Sequence, residues 1–178
     1  MFVIRPARWP DDLALLAEVE FSFTTDWSYR VARDELSFGL IEEKVDPPLH
    51  KDYGSVTGSD DRLPEMDCVL VAERDGEVVG FTTAEYEAWN RRVGVRHLFV
   101  AAQYRRSGIG RALLDHLDTF ARSAGARCLW LDTPNVNYPA IQFYRHMGFR
   151  LCGLDESLYD PAGPGGNEVA LFFVRELT

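Results

Sequence analysis

The stretch that most restricts what this chain can fold into is Val93 to Leu131, where a strand-like run, a turn with glycines at 108 and 110, a helix and a second strand follow in order. From Gly108 to Arg122, Ile109, Leu113, Leu117 and Phe120 recur on one helical face. The pattern stops near Gly125 and gives way to the apolar run Cys128-Leu129-Trp130-Leu131. A strand, helix, strand unit buries its helix face against a sheet, so the predicted class is α/β. The turn also carries a chemical signal. Its glycines let the backbone approach a ligand, and the first-turn N–H groups suit an anion such as a pyrophosphate. Arg105, Arg106 and Arg111 concentrate positive charge there. An ordinary glycine-softened helix start with solvated arginines has the same residues.

The rest of the chain reads around this unit. Phe2 to Arg5 predicts a strand, and Asp11 to Phe21 a helix with Leu13, Leu16, Ala17 and Glu20 at helical spacing. Residues 46–67 hold three prolines, two glycines and six acidic residues, which predicts a long acidic, flexible surface loop. Arg74-Asp75-Gly76-Glu77 between two apolar runs predicts a β-hairpin. Pro139 to Met147 predicts a short helix capped near Asn137 or Tyr138 and stopped by Gly148. Leu151 to Tyr159 and Glu168 to Arg175 predict two closing strands. The expected order is β-α-loop-β-β-β-α-β-α-β-β, in one domain spanning 1–178.

Charge narrows the function. With 19 basic and 28 acidic residues the chain carries a net charge of −9, which argues against nucleic acid and suits a cationic ligand. No run approaches the ~20 apolar residues of a membrane span, and the first ten residues lack a secretory pattern. A cytoplasmic location without membrane attachment is expected, as a monomer or homodimer. Three cysteines without a Cys-x-x-Cys spacing and four scattered histidines indicate neither a disulfide framework nor a metal site. Each cysteine lies in an apolar run and is expected to be buried.

Two motifs carry a resemblance. Arg105-x-x-Gly108-x-Gly110 resembles the pyrophosphate signature of the GCN5-related N-acetyltransferase (GNAT) superfamily, and Asn137-x-x-Ala140-x-x-Phe143-Tyr144-x-x-x-Gly148-Phe149 resembles its second signature. Ser22 to Asp26, Val45 to Lys51, Trp89 to Arg92, Leu129 to Leu131, Asn135 to Asn137 and Leu151 to Asp155 are similar to the streptothricin (nourseothricin) acetyltransferases. The resemblance implies a GNAT fold: a mixed central sheet with splayed middle strands and about four helices. It implies acetyl-CoA as cofactor and a small cationic amine as substrate, a streptothricin-type antibiotic leading. The alternatives are another amine (a polyamine, an amino sugar or a protein α-amine) or a catalytically silent acyl-CoA-binding module.

By the same resemblance Arg105, Arg106, Ser107, Gly108, Ile109, Gly110 and Arg111 hold the cofactor, with Asn137 and Ala140. Tyr144 is the general acid beside the CoA sulfur, although a core aromatic fits its position equally. Backbone N–H groups near Phe99 or Val100 would polarise the thioester. Asp26 and Trp27 line the acceptor pocket, together with Glu85, Asp132 and Asp155. For the base, His97 has a suitable ordinary pKa of ~6.5; Glu85 and Asp132 compete, and a sufficiently acidic amine needs none. The relatives resemble a Glu-Asp pair where this chain has Arg96 and His97, so Arg96 is expected to oppose an incoming cation, an effect that Asp26, Glu85, Asp132 and Asp155 offset if they converge on the acceptor side. Gly110→Trp is expected to abolish acetyl-CoA binding in a folded protein, measured by calorimetry.

Overall fold

The computed structural model describes residues 1–17, 22–54, 63–163 and 166–177. The chain divides into two compact units, one of Met1–Phe21, Tyr53–Trp130 and Glu176–Thr178, the other of Ser22–Asp52 and Leu131–Arg175. Seven strands belong to a mixed sheet, and two more form a separate antiparallel pair. Three α-helices and two 3-10 turns complete the described residues, where about four helices were expected.

In the first unit the sheet order is β1 (Val3–Pro6), β4 (Cys68–Arg74), β5 (Glu77–Glu87), β6 (Arg92–Val100) and the start of β7 (Cys128–Pro134). The expected hairpin joins β4 to β5: Asp75 (φ 53°) and Gly76 (φ 86°) are both left-handed, as a two-residue turn matching the strand twist requires. β6 pairs with β5 antiparallel and with β7 in parallel. The parallel register covers only Arg92↔Cys128 to Gly94↔Trp130, and β6 runs six residues further.

Helix α1 (Asp11–Ala17) packs on β5, and α2 (Ile109–Ser123) packs across β4, β5 and β6. α2 buries Ile109, Leu113, Leu114, Leu117 and Ala121, adding Leu114 to the predicted face, while Phe120 is only half-buried. Leu16, Leu63, Met66, Val71 and Phe81 form a separate buried cluster. Leu13, assigned to the buried face of α1, is 37% exposed, and the predicted end of that helix at Glu20 and Phe21 lies outside the described residues.

The second unit holds β8 (Arg150–Asp155) antiparallel to β9 (Ala170–Glu176), helix α3 (Tyr138–His146), and a hairpin of β2 (Ser22–Asp34) and β3 (Ser37–Asp52). This hairpin corrects the sequence reading. The residues after 21 were given no strands, and the predicted loop began at Asp46, yet β3 runs to Asp52. Its prolines sit where pairing is interrupted: Thr25 pairs with Leu49 and Trp27 with Lys44, so Asp26 faces four residues that include Pro47 and Pro48. Leu63–Glu65 is a 3-10 turn, and positions 55–62 lie outside the described residues. The cysteine expectation holds for Cys128 alone, because Cys68 is half-buried and Cys152 is exposed on β8.

One buried ion pair fastens the start of the chain. Arg5 donates to Asp12 from both terminal nitrogens (2.6 and 2.9 Å) and to Glu73 from Nε (2.7 Å), while Arg8 N–H also reaches Asp12. These bonds hold the Asp12 carboxyl below its usual range, the Arg5 hydrogen bond leading and burial opposing. A depressed folded pKa contributes stability above the ordinary value of ~3.9 and loses it as pH falls through the folded value. Asp12→Asn is expected to cost about 2 kcal/mol at neutral pH, since Glu73 still pairs Arg5, and to flatten the acid limb of a urea-midpoint profile.

Candidate active site

The cofactor segment begins where β6 ends. Ala101 N–H donates to Val79 O (2.9 Å), and a 3-10 turn, Ala102–Tyr104, leads into the glycine turn. Arg105 donates from Nε to Val100 O (3.0 Å) and lies 5.6 Å from the Phe99 ring centroid, which ties the turn to the strand. Arg106 (φ 63°) and Gly108 (φ 89°) are left-handed, and Ser107 Oγ donates to Tyr104 O (2.5 Å). The first helical bond of α2 is Ala112 N–H to Gly108 O, so the amides of Ile109, Gly110 and Arg111 have no acceptor within the helix. Arg106 and Arg111 are exposed beside them, whereas Ile109 points inward at 1% exposure. Left-handed backbone, helix-start amides and two exposed guanidiniums together form a positively charged turn that is chemically able to receive an anion.

Earlier on β6 the structure answers the question raised by Arg96. Thr83 pairs with His97 and Ala84 with Val95, so Arg96 is the extra residue of a β-bulge. Its guanidinium donates to Glu85 (2.7 Å), approaches Glu87 (3.6 Å) and lies 5.4 Å from the Trp130 ring centroid. Arg92 stacks on the same ring at 4.6 Å and donates to Glu87 (3.1 Å). Trp130 Nε1–H donates to Glu87 as well (2.9 Å). Burial opposes ionisation of Glu87, but bonds from Asn90, Arg92 and Trp130 outweigh it and hold its carboxyl below the usual range. Arg96 is therefore a paired charge, and Glu85, one of the four carboxylates expected to be able to offset it, is its partner. His97 is half-buried: its Nδ1 lies 2.8 Å from Thr83 Oγ1, and its carbonyl accepts from Thr82 (2.7 Å).

The second unit holds the remaining candidates. Asn137 caps α3, its side-chain oxygen accepting from Ala140 N–H (3.3 Å), so both are committed to the helix start. Tyr144 is buried against Phe143, Phe149 and Phe173, with ring centroids 5.6, 5.7 and 6.3 Å away. Burial first, and then the charge of Asp132, push its phenol well above the ordinary value. Asp132 accepts from Tyr159 OH (3.0 Å). Asp155 accepts from both N–H and Oγ–H of Ser157 at 2.7 Å, which lowers its pKa and makes it the turn residue after β8. Asp26, in the β2–β3 irregularity, lines a hollow of about 250 Å³ with Lys44, Val45, Asp46 and Pro48. Trp27 is 39% exposed, 6.4 Å from Tyr138.

A polar network went unread in the sequence. Tyr29 OH and Tyr138 OH both donate to Glu42 (3.1 Å each), and Gln142 and Arg145 donate to Tyr29 OH at 2.9 and 3.2 Å. Its one sequence signal is the odd-position alternation Phe23, Thr25, Trp27, Tyr29, Val31, which marks β2. Among the described residues, no group of three His, Cys, Asp or Glu side chains is placed to hold a metal. No described helix is long and apolar enough to cross a membrane.

Comparison with known proteins defines the class. The model of the acetyltransferase (GNAT) family matches residues 28–149, and the chain belongs to that family. Its relatives include a streptothricin acetyltransferase of Streptomyces lavendulae, 40% identical over 96% of this chain and 93% of that protein. Another, from Escherichia coli, is 27% identical over 92% and 91%. The crystal structure of a nourseothricin acetyltransferase matches with a TM-score of 0.89 at 40% identity, covering 99% of both chains. A Bacillus anthracis protein solved in complex with acetyl coenzyme A shares the fold, with a TM-score of 0.82 at 22% identity and 99% coverage of both chains. The chain is thus an acetyl-CoA-dependent N-acetyltransferase.

The Arg96 cluster generates its own test. Arg96→Met is expected to cost about 0.5–1 kcal/mol, because the pair with Glu85 is partly exposed. Arg96→Glu, bringing a third carboxylate to Glu85 and Glu87, is expected to cost more; thermal melts of both variants compare the two.

Proposed function

We propose that this enzyme acetylates a primary amine of a streptothricin-type antibiotic and thereby confers resistance to it. One observation carries the reading: 40% identity to a streptothricin acetyltransferase over 96% of the chain, outside as well as inside the superfamily motifs. The acceptor is a small cationic amine, and the reaction runs in the cytoplasm, within a single functional domain spanning 1–178.

Acetyl-CoA supplies an activated thioester carbonyl and a thiol leaving group. The amides around Gly108 to Arg111 bind its diphosphate, and Arg106 and Arg111 add charge; Arg105 positions the turn by holding Val100. Backbone N–H at Phe99 or Val100 polarises the carbonyl. Tyr144 holds a proton on Oη for the departing sulfur, and its raised pKa keeps it in the donor form throughout the working range. Asp132, through water, takes the proton from the incoming amine. His97, with Nδ1 beside Thr83, and Glu85, paired with Arg96, have structural partners that compete with a base role. Asp26 and Trp27, both exposed on β2 where its pairing with β3 is interrupted, contact the acceptor.

Mass spectrometry after incubation with streptothricin and acetyl-CoA is expected to show a single acetyl addition. No product with streptothricin, beside rapid acetylation of an unrelated amine, overturns the substrate assignment. Tyr144→Phe is expected to lower kcat by ~10² to 10⁴ with little change in acetyl-CoA affinity. Because the folded pKa is raised, wild-type activity should show no loss from Tyr144 ionisation up to pH 9, checked in a pH–rate profile.

A further inference from the structure

Strands β2 and β3 form a sheet of their own, so individual bonds rather than a shared ladder seat this hairpin on the rest of its unit. Those bonds converge on Tyr29, which is 7% exposed. Its N–H donates to Asn135 O (3.0 Å), and its carbonyl accepts from Asn135 Nδ2 (2.6 Å). Asn135 is itself fixed, since its N–H donates to Val169 O (2.9 Å) and its Oδ1 accepts from Val169 N–H (2.8 Å). The Tyr29 hydroxyl makes a second tie. It donates to Glu42 on β3 (3.1 Å) and accepts from Gln142 (2.9 Å) and Arg145 (3.2 Å) on α3, which uses its full bonding capacity. Gln142 and Arg145 flank Tyr144 along α3, and Trp27, two residues before Tyr29, shares its strand face. One buried hydroxyl thus links the strand assigned to the acceptor with the helical turn that carries the assigned acid.

We propose that the Tyr29 hydroxyl is a positioning group for acetyl transfer, holding the acceptor-facing part of β2 against the turn of α3 that carries Tyr144. The inference rests on the reading of Tyr144 as the acid and of Asp26 and Trp27 as acceptor contacts. Packing alone is served by the Tyr29 ring, which stacks on Tyr138 with centroids 5.6 Å apart. The hydroxyl adds direction, because hydrogen bonds weaken steeply with misalignment. Transfer needs that direction: a misplacement of ~1 Å between reacting groups costs ~10² in rate.

Tyr29→Phe removes the hydroxyl and leaves the ring and the backbone bonds. With streptothricin its kcat should fall at least tenfold, while KM for acetyl-CoA stays within twofold of wild type. Gln142→Met keeps the bulk of a half-buried side chain and removes one bond; it should lower kcat at least threefold, and it serves if Tyr29→Phe does not fold. In a Tyr144→Phe background the kcat loss from Tyr29→Phe should shrink to under twofold, since residues acting as a unit are not additive. Unchanged kcat in either folded variant, a matching rise in KM for acetyl-CoA, or a loss undiminished by Tyr144→Phe overturns the proposal; a merely structural hydroxyl lowers the melting temperature alone. If Tyr144→Phe by itself keeps wild-type kcat, the acid reading has failed, and the tie is judged on the acceptor KM of Tyr29→Phe. A rise of at least fivefold then upholds it, and an unchanged value overturns it. If wild type does not acetylate streptothricin, the substrate reading has failed, and the same comparisons are made with the best acceptor among spermidine, glucosamine and an alanine-initiated peptide.

Discussion

Everything at the proposed cofactor end depends on one close approach between β5 and the start of α2. A β-carbon on Gly80 would sit 2.7 Å from the Phe99 carbonyl oxygen and 3.4 Å from Ile109 Cγ2. Such room admits only hydrogen at Gly80, and Ile109 fills what is left. That packing sets where α2 begins relative to the end of β6. The turn between them then has one task, to reverse direction within a few residues. It does so with left-handed Arg106 and Gly108, and the exposed helix-start amides are the consequence. Nothing lies within 4 Å of a β-carbon on Gly108, so glycine serves its dihedral there, whereas at Gly80 it serves space.

Charge tells a more local story than the total of −9 suggests. Around Trp130 two guanidiniums meet two carboxylates, and the indole N–H completes the set. Glu85 and Glu87 therefore present little net field. The acidic excess lies elsewhere, and Glu156 and Glu168 are likewise paired, with Arg33 and Lys51. Net charge is a property of the whole surface; attraction of a small cation is decided by which carboxylates lack a full set of partners.

What the sequence disclosed followed strength of pattern. The β6–α2–β7 unit, the Asp75-Gly76 hairpin and the caps of α3 combine a strong period with a residue that only one backbone geometry suits. In the β2–β3 hairpin β2 has only its alternation, and β3 has neither. β3 carries few apolar residues and two prolines, and its pairing breaks around Asp26, so its composition is that of a loop. Asp26 and Trp27 were named by resemblance alone, whereas Glu42, Gln142 and Arg145 were missed because their partner, Tyr29, stands on that unrecognised strand. Arg96 was visible as an anomaly, but its partners are cross-strand and on β7, and no local pattern announces them. Glu168 reads in sequence as an ordinary strand-start acid; its ion pair with Lys51 needs the tertiary structure.

Tyr144 shows why a residue's packing and its chemistry need not compete as explanations. Three aromatic rings enclose it, and in the sequence this environment argues for a plain core position. The same enclosure removes water from the phenol and penalises the phenolate, and Asp132 adds a negative charge that penalises it further. An acid proposed to protonate a departing thiolate has to arrive at that step still carrying its proton. Its environment must also be rigid enough to hold the hydroxyl in place. Burial in an aromatic cluster meets both requirements, so the features that make Tyr144 a core residue are those that would make it a dependable proton donor.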